Sequence, residues 1–200
     1  MAFIGLRYPV VATVTSHTAG AEPVYGTGKV IGHAIQANLT ITRNDNPLYA
    51  DDRIVEDDNG ITGMEIEVGV DDLTDEVEAD MGLVQKVESG TGTAAVTTYY
   101  DTDAPAKDLG LGYMRVRRKA GVTTFQGIWI YKAKFSKNSE SAQTKGESIE
   151  WNTPTINGRC VGLNINGNND LSFRKIRVFD TESDANTWLD GLANVNRSGG

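Results

Sequence analysis

The sequence predicts a mainly β fold with one or two flanking α-helices, carried by a single domain over residues 1–200. Three observations predict it. Two segments alternate apolar and polar residues with period two, the pattern of a strand buried on one face. Seven further runs are built from Val, Ile, Thr, Tyr, Phe and Trp, the residues that fit a pleated sheet. Only two stretches repeat apolar residues at helical spacing.

In chain order, the first strand is Val10–Thr15. In Ile35–Thr42 the odd positions Ile35, Ala37, Leu39 and Ile41 are apolar, and Gln36, Asn38, Thr40 and Thr42 form a polar face. Residues Asn44–Gly60 read as a long loop. It holds Asp45, Asp51, Asp52, Glu56, Asp57 and Asp58 against Arg53 alone. So long a structureless stretch is unusual in a compact domain and is often functional. Met64–Val70 alternates again, with Glu65 and Glu67 on its polar face. The first helix carries Leu73, Val77, Met81 and Val84 at helical spacing, with Asp71 or Asp72 as cap and acids in its first turns. Gly82 ends it near Met81 and leaves Val84 outside.

A Gly-, Ser- and Thr-rich loop at Glu88–Thr93 leads to the strand Ala95–Tyr100. Leu111–Arg118 and Val122–Phe135 follow, then a polar loop at Ser136–Glu147 and a strand at Ser148–Asn152. Turns are expected at Asp58-Asn59-Gly60 and Asn157-Gly158. Asn166-Gly167-Asn168-Asn169 joins Arg159–Ile165 to Leu171–Phe179 as a hairpin. The second helix runs from Thr181 to about Asn194. Thr181 and Asp184 approximate a capping box, and Ala185, Trp188, Leu189 and Leu192 form its apolar stripe. Arg197–Gly200 is expected to fray.

The 27 acids and 19 bases give a net charge of −8. That excludes a general nucleic-acid binder, which carries a basic patch and a high pI. A single cysteine, Cys160, excludes a disulfide framework. No segment has the form of a signal peptide or approaches the roughly 18 apolar residues of a membrane helix, so cytoplasmic synthesis without membrane insertion is expected.

Chemical motifs are weak. Gly26-Thr27-Gly28-Lys29-Val30 lacks the first glycine and the hydroxyl residue of a phosphate loop and leads into a strand. Aligning Gly60 with the glycine of a calcium loop puts Val55 and Ile66 where oxygen ligands are required. One cysteine and two histidines, His17 and His33, fall short of a structural zinc site. No nucleophile motif surrounds Cys160 or the histidines, so no catalytic residue, metal or cofactor is expected and the chain is not read as an enzyme. Arg115, Arg117 and Arg118 form a basic run in which Arg115 and Arg117 share a face. It is either a solvated face or a set of inter-subunit contacts for an acidic surface.

Longer words say more. Ile41–Asp52, with Leu48-Tyr49-Ala50-Asp51-Asp52 at its end, resembles the "LYADD" region of the major tail proteins of long-tailed, non-contractile phages. Val68-Gly69-Val70-Asp71-Asp72-Leu73-Thr74-Asp75-Glu76-Val77-Glu78-Ala79-Asp80 resembles the same family's "GVDDLSDEV" entry to a helix. Lys134–Glu140 and Thr144–Pro154 resemble its closing sheet region. The resemblance runs over roughly residues 6–165 and leaves out the C-terminal helix.

The resemblance implies a β-sandwich or barrel of the tail-tube type. It implies a structural virion protein: hexameric rings stacked into a hollow tail tube around the tape-measure protein, closed by tail-end proteins. Phage DNA would pass through the tube without specific binding. It implies that the Asn44–Gly60 loop reaches the next ring. Leu48, Tyr49 and Ile54 would anchor it there, and Asp51, Asp52, Asp57 and Asp58 would meet basic groups. It also implies a lumen lined by Gln36, Asn38, Thr40, Thr42, Glu65 and Glu67, faces that contain no Lys or Arg. The alternative is a monomeric β-sandwich that binds carbohydrate or decorates a virion, with Trp129, Tyr131 and Trp151 as its stacking platform.

Overall fold

A computed structural model describes residues 2–44, 46–50, 53–58, 60–90, 95–101, 105–137, 153–168 and 170–196. It is mainly β, with antiparallel sheets in a sandwich-like arrangement and two helices. The strands are β1 (Ala2–Ser16), β2 (Val24–Tyr25), β3 (Lys29–Val30), β4 (Ala34–Arg43), β5 (Asn46–Ala50), β6 (Arg53–Asp58) and β7 (Ile61–Val70). After α1 (Asp75–Met81) come β8 (Val84–Ser89), β9 (Val96–Asp101), β10 (Leu109–Lys119), β11 (Val122–Ser136), β12 (Thr155–Cys160) and β13 (Arg174–Phe179). The helix α2 (Glu182–Ala193) follows.

The main sheet runs β2-β1-β10-β11-β12-β7-β4, with β13 on β11 and β3 on β1. The strand β11 serves two neighbours along one edge: Phe125–Ile130 pair with β13 and Ala133–Ser136 with β12. Because β3 pairs with β1 and leads directly into β4, the two ends of the path approach each other. The curved sheet encloses one core of Val11, Ile66, Val68, Leu111, Ile128, Ile130, Phe135 and Ile156, closed by Leu73 and Met81. On the opposite face of β1, β10 and β11, α2 buries Met114, Trp129 and Tyr131 with Ala185 and Leu189. The strands β10 and β11 are therefore covered on both sides, and their central residues lack alternation.

Several expectations are corrected. The long Asn44–Gly60 loop is a hairpin: β5 and β6 pair in antiparallel register, Leu48 opposite Glu56 and Tyr49 opposite Ile54. Its acids concealed the strand pattern. Thr74, not Asp71 or Asp72, caps α1 by accepting from the Val77 amide, while Gly82 ends the helix in the left-handed region as predicted. Asn157-Gly158 lies inside β12, not in a turn. Gly158 is required there by close approach: a Cβ would sit 2.5 Å from the Phe135 ring. The strand β1 starts at Ala2 and passes Pro9 through a bulge, where Tyr8 takes φ +58°. Of the loop expected at Glu88–Thr93, Glu88 and Ser89 end β8, which pairs with β9, and residues 91–93 lie outside the described residues. The strand expected at Arg159–Ile165 ends at Cys160, and a bridge between Leu163 and Ser172 closes the expected hairpin. The strand expected at Ser148–Asn152 and the tail at 197–200 lie outside the described residues.

Candidate functional site

The polar face predicted from alternation is assembled by strand register. Asn38 stands opposite Glu67 and Thr40 opposite Glu65 across β4 and β7. The same rows continue across β12 and β11, through Asn157 to Ser136 and through Arg159 to Lys134. Two cross-strand ladders result: Asn38–Glu67–Asn157–Ser136 and Thr40–Glu65–Arg159–Lys134. Together they line a shallow groove of about 450 Å³. Gln36 and Asn38 both donate to Glu67 Oε1, at 2.7 and 3.0 Å, and tie that carboxylate to β4. Gln36 can lie there because Gly69 opposite it has no side chain; a Cβ would come within 2.9 Å of Gln36 Cγ. Thr42 closes the face opposite Gly63.

The expectation of a face without bases holds for β4 and β7 alone. The neighbouring strands place Arg159 and Lys134 in the Glu65 row, so the groove is charge-balanced rather than acidic. Sequence reading missed both cations because Arg159 was assigned to a strand without a known neighbour. The apolar face of β4 is also incompletely covered. Ala37 and Leu39 pack on the core, but Ile35 is 50% exposed, since β4 is the last strand of the path.

Two ribbons stand apart from the main sheet. The β5–β6 hairpin continues from β4 and β7, and neither strand packs extensively on another element among the described residues. Leu48, Tyr49, Ile54, Asp57 and Asp58 belong to it, while Asp51 and Asp52 lie outside the described residues. The β8–β9 ribbon is mostly exposed, including Val87, Val96 and Tyr100, and is based on α1. That helix is clamped from two sides. Lys29 reaches Glu76 and Asp80 at 3.1 and 2.5 Å, and Lys107 Nζ donates to the carbonyls of Ala79 and Asp80.

Of the basic run, Arg115 lies 4.1 Å above the Phe3 ring and donates to Gln126 Oε1 at 2.8 Å. Arg117 flanks the same ring, and Arg118 faces the other way. Burial holds the Arg115 guanidinium below its usual range, with Arg174 and Arg117 adding to the shift.

Cys160 is buried in the core, and burial pushes its thiol up to about 12. His33 sits at the surface, where Asp71 accepts from its backbone amide at 2.6 Å and meets Nδ1 at 2.7 Å. These residues do not form a nucleophile–base pair. Trp129 and Tyr131 are buried beneath α2, so they cannot form the stacking platform of a carbohydrate site; Trp151 lies outside the described residues. Among the described residues, no helix is long and apolar enough to cross a membrane. No protein-family model matches the chain, and no curated protein matches it.

Proposed function

We propose that this chain is a structural subunit that self-assembles into stacked hexameric rings forming a hollow phage tail tube. The observation that carries the reading is the charge-balanced polar face of β4, β7, β12 and β11, bounded by the far edge of β4, which pairs with no further strand among the described residues. An open strand edge is a template for pairing with another chain, and head-to-tail contacts generate rings when the rotation closes. In a ring, this face becomes the lumen wall. DNA is held by basic surfaces through release of condensed counterions. A wall in which Glu65 and Glu67 offset Arg159 and Lys134 offers no net attraction, so the genome slides.

The separate two-stranded β5–β6 hairpin supports the same reading. A lone two-stranded hairpin is marginal in water, and a neighbouring ring would supply the missing surface. The tape-measure protein would occupy the lumen during assembly, tail-end proteins would close the tube, and the virion tail is the place of action. The monomeric carbohydrate-binding or decoration alternative loses its proposed platform to burial.

Electron microscopy of the purified protein at rising concentration, with and without tail-initiation proteins, tests the proposal. Rings or tubes of uniform diameter are expected. Dispersed monomers under both conditions would contradict it.

A further inference from the structure

We infer that the overhanging end of the core-facing side of β1, β10, β11 and β13 is a docking face for the acidic β5–β6 hairpin of a second copy. The inference rests on the self-assembly reading and names the surface that receives the hairpin.

Register defines the face. On the side that builds the core, one row runs Val11–Leu111–Ile130–Arg174, and the next includes Tyr113, Ile128 and Ile176. Beyond these the rows continue as Leu6–Arg115–Gln126–Val178 and Phe3–Arg117–Thr124. The strands β12, β7 and β4 cover only the first part, because β12 pairs with β11 from Ala133 onward. The overhang is left with Phe3 49%, Ile176 43% and Val178 51% exposed. It pairs apolar surface with the cations Arg115, Arg117 and Arg174, and these rows contain no carboxylate. Arg115 Nε is buried without an acceptor among the described residues.

Charge selects the occupant. On a chain of net charge −8, this is a local basic surface. The strand β6 carries Glu56, Asp57 and Asp58, and β5 carries Leu48 and Tyr49. An acidic and apolar ribbon matches a basic and apolar sheet face. The hairpin and the face lie on different strands of the fold, so docking one onto the other in a second copy is head-to-tail and propagates.

Sedimentation velocity over a concentration series tests this with two reversed variants, R115E/R117E and D57K/D58K. Each alone is expected to weaken self-association at least tenfold relative to wild type, within the range of coupling seen for close charge pairs. An equimolar mixture should recover it, since each reversed hairpin then finds a reversed face. If R115E/R117E fails to fold, as read by circular dichroism, R174E serves as the face variant, and its recovery by D57K/D58K in an equimolar mixture decides the matter. Wild-type association in either folded variant, or no recovery on compensation, overturns the docking face while leaving assembly intact. A wild-type protein that stays monomeric throughout overturns both.

Discussion

Glu78 is the one carboxylate among the described residues that α1 buries, at 5% exposure, and it pairs with Lys137 at 2.6 Å. Removing Glu78 takes this buried acceptor from Lys137. Lys137 keeps a fifth of its side chain in water, which softens the loss. Glu78→Ala should therefore cost about 2–3 kcal/mol, below the full penalty for a broken buried pair, read as a shift in the urea midpoint. Cys160, with its thiol pushed up to about 12, is protonated at pH 8. Native protein should resist alkylating reagents that modify it at once in urea. Asp71 has the opposite bias. Hydrogen bonds from the His33 amide and ring hold its carboxyl below the usual carboxylate range. A depressed folded value stabilises above the unfolded pKa, and the contribution fades as pH falls below about 4. Asp71→Asn should thus lower the urea midpoint at pH 7 and leave it unchanged near pH 2.

Among the elements, the helices are fixed by a few deep contacts. Met81 is fully buried against the main core, whereas Val77 is only partly covered. Met81→Ala should cost about 3 kcal/mol, in the range for large-to-small core changes, and Val77→Ala markedly less. For α2, two glycines give opposite outcomes. A Cβ at Gly112 would meet Trp129 at 2.7 Å and Leu189 at 2.9 Å, while one at Gly191 meets nothing within 4 Å. Gly112→Ala should lower the thermal midpoint by undocking α2. Gly191→Ala should raise stability by about 1 kcal/mol through helix propensity. Much of this was legible in sequence. Alternation located β4 and β7 with their polar faces, and helical spacing with Gly82 placed α1. What escaped was tertiary. The signal for β5–β6 was drowned by acids, because a two-stranded ribbon outside the main sheet needs no alternation. Asn157-Gly158 mimicked a turn since sequence cannot tell a left-handed glycine from one pressed against Phe135. Strand order was also hidden, so Arg159 and Lys134 were not seen to share a face with Glu65.

At the scale of the whole molecule, the proposed tube ties these pieces to one geometry. The Asn38–Glu67–Asn157–Ser136 and Thr40–Glu65–Arg159–Lys134 ladders are surface rows whose side chains do not build the core. Changing both Glu65 and Glu67 to Lys removes the Gln36 and Asn38 hydrogen bonds and sets four cations on one face, and should cost about 1–2 kcal/mol while leaving the subunit folded. The resulting wall would be strongly basic and should retard genome ejection, measured by dye release from phage carrying the variant. The most direct measurement is a cryo-electron microscopy map of the assembled protein. The proposed assembly predicts a closed ring with the far edge of β4 paired to a neighbouring subunit and Glu65, Glu67 and Arg159 facing the central channel. A map that places these three side chains on the outer surface, or particles that never close into a ring, would contradict it.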